Sequence, residues 1–224
     1  MDAMAARTYF DHGPCYRAGL HPPTKAGRQQ CRTNGPASRA SASAASQTPA
    51  PTTPTPPRDE TAAAEVRRRR AAAAQRYRPD QVRLLLVAQA PPDAADRYFY
   101  FTDVKSQDAL FRSVVRAVLP GAETTRYNKA SLLAQLPYRS VFLIDLKPDP
   151  VDGSPLSPYM PALLDRISEL TPERIILIKA DVFDAAYPAL SAAGLPVSPV
   201  RIPFPSFGQQ KAFAVAFGRA LTGE

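Results

Sequence analysis

VRLLLVAQAPPDAADRYFYF, residues 82–101, opens on an unbroken apolar run, stops on two prolines and closes on four consecutive aromatics. An amphipathic helix would space its apolar residues three and four apart, and a half-buried strand would alternate them. Continuous hydrophobicity over so few residues instead marks a strand covered on both faces, as in a parallel sheet flanked by helices. The prolines then end the strand, because proline cannot donate to the ladder. Successive side chains of extended backbone point in opposite directions, so the four aromatics at 98–101 cannot all enter one core. At least one is expected to face a cleft or solvent.

The same signal recurs downstream. SVFLIDL (140–146) and RIILIKA (174–180) are further short apolar runs, and PVSPVRIPF (196–204) is a weaker fourth whose prolines suit a sheet edge. Between them, residues 106–119, 128–136, 157–170, 181–194 and 208–221 space apolar residues as helices do. Ser106 with Gln107 and Asp108 reads as a capped first turn, Ser157-Pro158 as a helix start, and Gly194 as a C-terminal cap. Strands alternating with helices predict an α/β fold, a three-layer α/β/α sandwich around a mostly parallel sheet of about four strands. Ligands of such sheets bind beyond the carboxyl ends of the strands, at a topological switch point.

Charge divides the chain unevenly. The first 82 residues hold 13 Lys and Arg against 6 Asp and Glu, a net of +7, while the remainder holds 15 against 14, a net of +1. Residues 1–57, rich in Ala, Ser, Pro and Arg without periodicity, are read as disordered. Residues 58–78 are read as a basic helix or linker, with Arg67 to Arg70 as a solvated face, and residues 79–224 as the α/β domain. Both cysteines, Cys15 and Cys31, and both histidines, His12 and His21, precede Gly35. The α/β domain therefore excludes thiol nucleophiles, histidine triads and Cys/His metal sites, and no metal or other cofactor is expected. No apolar run reaches the roughly 18 residues of a membrane span, so a cytoplasmic, monomeric protein without membrane association is expected.

Three loops after strand ends carry the candidate chemistry: residues 88–101, 145–153 and 203–210. They resemble motifs of the uracil-DNA glycosylase superfamily, especially its small bacterial branches, across residues 83–221. Ala88-Gln89-Ala90-Pro91-Pro92 stands where that family has a Gly-Glu-Ala-Pro-Gly type motif, and Phe99, or a neighbour in Tyr98–Phe101, stands where an aromatic stacks on a flipped base. Asp145, followed by Lys147-Pro148, stands at the family's middle-strand Asn, and Phe204-Pro205-Ser206 at its His-Pro-Ser type motif, followed by Gly208. The resemblance implies a glycosylase-like fold, a DNA or nucleobase-containing partner, and hydrolysis of a base–sugar bond.

This chain departs from the family at two chemical positions. Gln89 replaces an acid and cannot take a proton, and Phe204 replaces a His and cannot donate a hydrogen bond. Cleaving a base–sugar bond passes through an oxocarbenium-like sugar and releases an anionic base, so it needs a carboxylate at the sugar and donors at the base. Asp93, Asp96 and Asp145 are the candidate carboxylates. Gln89, Ala90, Pro91, Tyr98, Phe99, Phe204 and Ser206 are the candidate base-binding residues, with core packing as the competing reading for the aromatics. Lys147 and the backbone at Gly208 and Gln209 are candidate contacts to a nucleic-acid backbone. A non-catalytic binder of the same fold is the alternative, with the basic leading segment as a tether.

Overall fold

The computed structural model describes residues 60–105, 109–125 and 127–223, which belong to one compact unit. The reading of residues 1–57 as disordered, both cysteines, and the capped turn at Ser106 to Asp108 lie outside the described residues.

Helix α1 spans Glu60–Arg76 and strand β1 Leu84–Ala88. Helices α2 (Ala109–Val118) and α3 (Lys129–Gln135) lead to β2 (Val141–Asp145). A 3-10 turn at Ser157–Tyr159 and helix α4 (Met160–Leu170) lead to β3 (Arg174–Leu177), then α5 (Ala180–Ala192) and α6 (Gln210–Thr222). All three strands are parallel, in the order β2-β1-β3. Leu85, Leu86 and Val87 of the central strand are wholly buried, as its uninterrupted hydrophobicity requires.

The chain moves from β1 outward to β2, then back across β1 to β3. With the right-handed crossover that parallel connections adopt, this reversal sends α2 and α3 to one face and α4 and α5 to the other. Helix α6 packs on α2. The reversal also makes the gap between the carboxyl ends of β1 and β3 the switch point of the sheet.

The expected fourth strand is reduced to two isolated parallel bridges, Ile175 to Val197 and Ile178 to Ile202. Ile175 donates its N–H to the Pro196 carbonyl and Ser198 donates to the Ile175 carbonyl, at 2.9 and 2.8 Å. Pro199 and Pro203 then interrupt any longer ladder, because neither has an N–H to give. Gly194 does adopt the left-handed conformation beyond the end of α5, with φ +70°.

Of the two readings of residues 58–78, helix or linker, the structure has the helix, α1, and it falls in the same compact unit as the α/β domain. Of the four arginines, Arg68 fits the solvated reading, being exposed and paired only with Glu65 one turn away. Arg70 does not: it is 4% exposed, and its Nη2 donates to the carbonyls of Pro92 and Ala94 at 2.6 and 3.2 Å. Arg67 reaches Asp149 at 2.7 Å. The helix thus grips the loop that follows β1.

The aromatic run explains that loop. Tyr98, Phe99 and Tyr100 are all buried and only Phe101 is partly exposed. Tyr100 stacks on Tyr77 just beyond α1, and Phe99 meets Phe111 of α2 edge-on at 5.4 Å. Two consecutive turns, closed by the Arg97 N–H on the Ala94 carbonyl and the Phe101 N–H on the Tyr98 carbonyl, let neighbouring rings point to different parts of one core.

Candidate functional site

A cavity of about 570 Å³ opens beyond the carboxyl ends of the strands, a volume within the range of small-molecule sites. Its floor is built by the sheet. Leu146 and Lys147 donate backbone N–H groups to the carbonyls of Ala88 and Gln89, at 2.8 and 2.9 Å, so the β1–β2 hydrogen bonding continues one residue past β1 and two past β2. This registers Gln89 beside the end of β2 and brings Asp145 opposite Ala88. Pro91 and Pro92 then turn the chain along the cavity wall, where Arg70 fixes their loop from outside.

Nine of the sequence-predicted residues line this one cavity: Gln89, Ala90, Pro91, Asp93, Tyr98, Phe99, Asp145, Phe204 and Ser206. Tyr98 and Phe99 are nevertheless core residues that show the cavity only part of their surface, so packing and lining coexist. Phe204 is 39% exposed and stands at the mouth.

Four predicted residues stand elsewhere. Asp96 faces a separate recess with Arg69 and Phe101. Lys147, expected at a phosphate, is 1% exposed; its Nζ donates to Asp152 and Ser154, at 2.5 and 2.7 Å, and lies over the Tyr159 ring. Burying the ammonium is tolerable because these partners replace its water, and the same contacts hold the Asp152 carboxyl well below its usual range. Gly208 and Gln209 lie exposed before α6, outside the cavity lining. Gly208 has φ +80°, and the Gln209 N–H is already given to the Ser206 carbonyl at 2.9 Å.

Asp145 is the leading charge partner of two guanidinium groups, the buried Arg70 and the partly buried Arg166. Burial lowers the pKa of both arginines and the aspartate opposes that shift. Arg166 also donates to the backbone carbonyls of Asp145 and Leu146, at 2.9 and 3.1 Å, fixing the end of β2. The Tyr98 hydroxyl is pushed up, first by burial and then by the Asp145 charge, so it stays protonated as a neutral wall.

Two polar lining residues were not anticipated, Arg97 and Lys179. Lys179 follows β3 and immediately precedes α5, across the switch point from Gln89. Its Nζ donates to Gln89 Oε1 and pairs with Asp181 at 2.8 Å. Its backbone, at φ +89° and ψ 137°, lies in a region populated almost only by glycine. The signal was present in RIILIKA, a lysine at the end of a buried strand. No loop follows it, and attention to loops passes it by.

Chemically the cavity combines aromatic and aliphatic walls, carboxylates at Asp93 and Asp145, and a donor-rich edge at Lys179, Gln89 and Arg97. Among the described residues no cluster of His, Cys, Asp or Glu is arranged to hold a metal ion, and no helix is long and apolar enough to cross a membrane. No protein-family model, curated protein or solved structure matches the chain.

Proposed function

We propose that the protein is a uracil-DNA-glycosylase-like enzyme that takes a flipped nucleobase into this cavity and hydrolyses the base–sugar bond. The observation that carries the reading is the convergence of Gln89, Phe99, Asp145 and Phe204, from three separate loops, on one cavity large enough to admit a base together with its sugar. A flipped base needs an apolar face and donors or acceptors at its edge. Tyr98, Phe99 and Phe204 supply faces, while Gln89 and Lys179 supply edge donors.

In the reaction the bond from the sugar carbon to the base nitrogen breaks, and its electron pair leaves with the base. Asp145, or Asp93 nearer the entrance, stabilises the positive sugar and accepts a proton from the water that captures it. The departing base takes a proton from solvent. Asp145 is the better placed carboxylate, half-buried at the cavity floor, whereas Asp93 is exposed.

The test uses the full chain on oligonucleotides containing uracil, hypoxanthine or a mismatch, single- and double-stranded, read as abasic product. Asp145→Asn is expected to slow cleavage by roughly 10²–10⁴-fold, and Asp96→Asn to leave it unchanged. Absence of abasic product from every substrate at stoichiometric protein rejects the enzyme. A second reading, a nucleobase binder without turnover, is favoured by Gln89 standing where a carboxylate would act. It predicts retention of the modified oligonucleotide with no cleavage.

A further inference from the structure

We infer that Lys179 is the residue that reads the ligand, meeting the carbonyl edge of a pyrimidine-like ring and carrying the negative charge of that ring when it is anionic. The inference deepens the proposed function and rests on the reading of the cavity as a base site. Three independent features single out this lysine.

The first is chemical necessity. An ammonium has only hydrogens to give, so the Gln89 side chain must turn its oxygen toward Lys179 and its NH₂ away from it. The amide orientation is thereby fixed by its neighbour and not left to the ligand. Gln89 then turns its two NH₂ donors to the rest of the cavity, its oxygen keeping one lone pair on the Lys179 side, and Lys179 itself offers only donors. A ring edge bearing carbonyl oxygens complements this pair, whereas an edge bearing an amino group would set hydrogen against hydrogen.

The second feature is position. Lys179 crosses the switch point of the sheet, joining the end of β3 to the end of β1 inside the cavity. Its side chain keeps 31% exposure, so it is not sealed away as that of Lys147 is. The partner Asp181 is 61% exposed and lies outside the cavity lining. That pair is largely screened by water, which leaves the lysine able to answer a second negative charge.

The third is the backbone. A lysine held at φ +89° and ψ 137° costs free energy that a glycine would not. Strain of this kind persists where the side chain so positioned is used. Phe204 cannot donate to a departing base, and the exposed backbone at Gly208 and Gln209 is outside the cavity lining. Of the two cations lining the cavity, Arg97 is exposed and Lys179 is the one tied to Gln89, which makes Lys179 the cation available to the base as the sugar bond breaks and the electron pair collects on its ring nitrogen and adjoining oxygen.

The experiment is equilibrium binding of two free rings to the full-length protein by calorimetry at neutral pH: uracil, which is uncharged, and barbiturate, which has a similar ring and is an anion. The wild-type protein is expected to bind barbiturate at least about 10-fold more tightly, since hydrogen bonds to charged groups carry roughly 10–100-fold in affinity. Lys179→Met should abolish that preference, weakening barbiturate binding at least about 10-fold more than uracil binding, and Lys179→Arg should restore part of it. Retained uracil binding shows that Lys179→Met is folded. The wild-type preference is a measurement independent of either variant.

Equal loss of both rings, an undiminished preference in Lys179→Met, or no barbiturate preference in the wild type overturns the inference. The enzymatic reading is judged separately by abasic product. A protein that cleaves uracil-containing DNA yet shows no lysine-dependent anion preference loses only the role of Lys179.

Discussion

Lys179 sets function against stability within one residue. A non-glycine side chain in its region of backbone space costs about 1–3 kcal/mol, while its half-exposed pair with Asp181 returns about 0–1 kcal/mol. Lys179→Gly removes the strain together with the ion pair and the bond to Gln89. It is expected to stabilise the protein by about 1 kcal/mol in urea unfolding while eliminating any anion preference. Destabilisation of that size would mean that the lysine's contacts outweigh its strain. Gln89, Asp145 and Phe204 were legible in the sequence because each sits where an apolar run breaks into a proline-rich loop. Lys179 was not, since β3 passes into α5 almost without a loop. Arg70 was illegible for another reason: four adjacent arginines look alike until a partner surface selects one of them.

Strand β2 lies at the edge of the sheet, and an aromatic side chain satisfies part of that edge. The Tyr100 hydroxyl donates to the Leu143 carbonyl at 3.0 Å and accepts from the Leu143 N–H at 2.7 Å. One side chain thus closes both backbone groups that an edge strand would otherwise offer to another chain. Tyr100→Phe keeps the ring but leaves two buried polar groups without this partner, and a loss of roughly 1–3 kcal/mol is expected. Burial also raises the ionisation of Tyr98 and Tyr100 above the ordinary tyrosine value. The folded protein therefore holds these protons more tightly than the unfolded chain. Their contribution is complete below about pH 10 and is lost as pH rises beyond it, at roughly 1.4 kcal/mol per pH unit for each tyrosine. Urea unfolding between pH 9 and 11 should show this decline, less steep in Tyr100→Phe, and tyrosinate absorbance from the two residues should appear only with unfolding. The strands that hold the sheet together were readable from continuous hydrophobicity. The fourth was overread because apolar residues at 197, 200 and 202 pack against the core without a ladder that the intervening prolines permit.

At the scale of the molecule, the decisive difference from the sequence reading is where the folded unit begins. A boundary at residue 79 follows the change in hydrophobic pattern, but α1 contributes almost no apolar stripe and docks instead through Arg70 and the aromatic contacts around it. Composition cannot reveal such a contact, since the docking group is a charge buried against carbonyls of a distant loop. That loop carries Gln89 to Asp93, so the helix supports the cavity from behind without lining it. Deleting α1 should therefore loosen the site as well as the fold. Relative to the full chain, Arg70→Ala is expected to cost about 2–3 kcal/mol, from lost charge-assisted bonds and lost packing. The exposed Arg68→Ala should change stability by no more than about 0.5 kcal/mol. A chain beginning at residue 79 should lose at least as much as Arg70→Ala and bind either pyrimidine more weakly. Urea midpoints for the three proteins, with calorimetric titration of the truncated one, decide the matter: unchanged stability and affinity without α1 would restore the helix to the status of a linker.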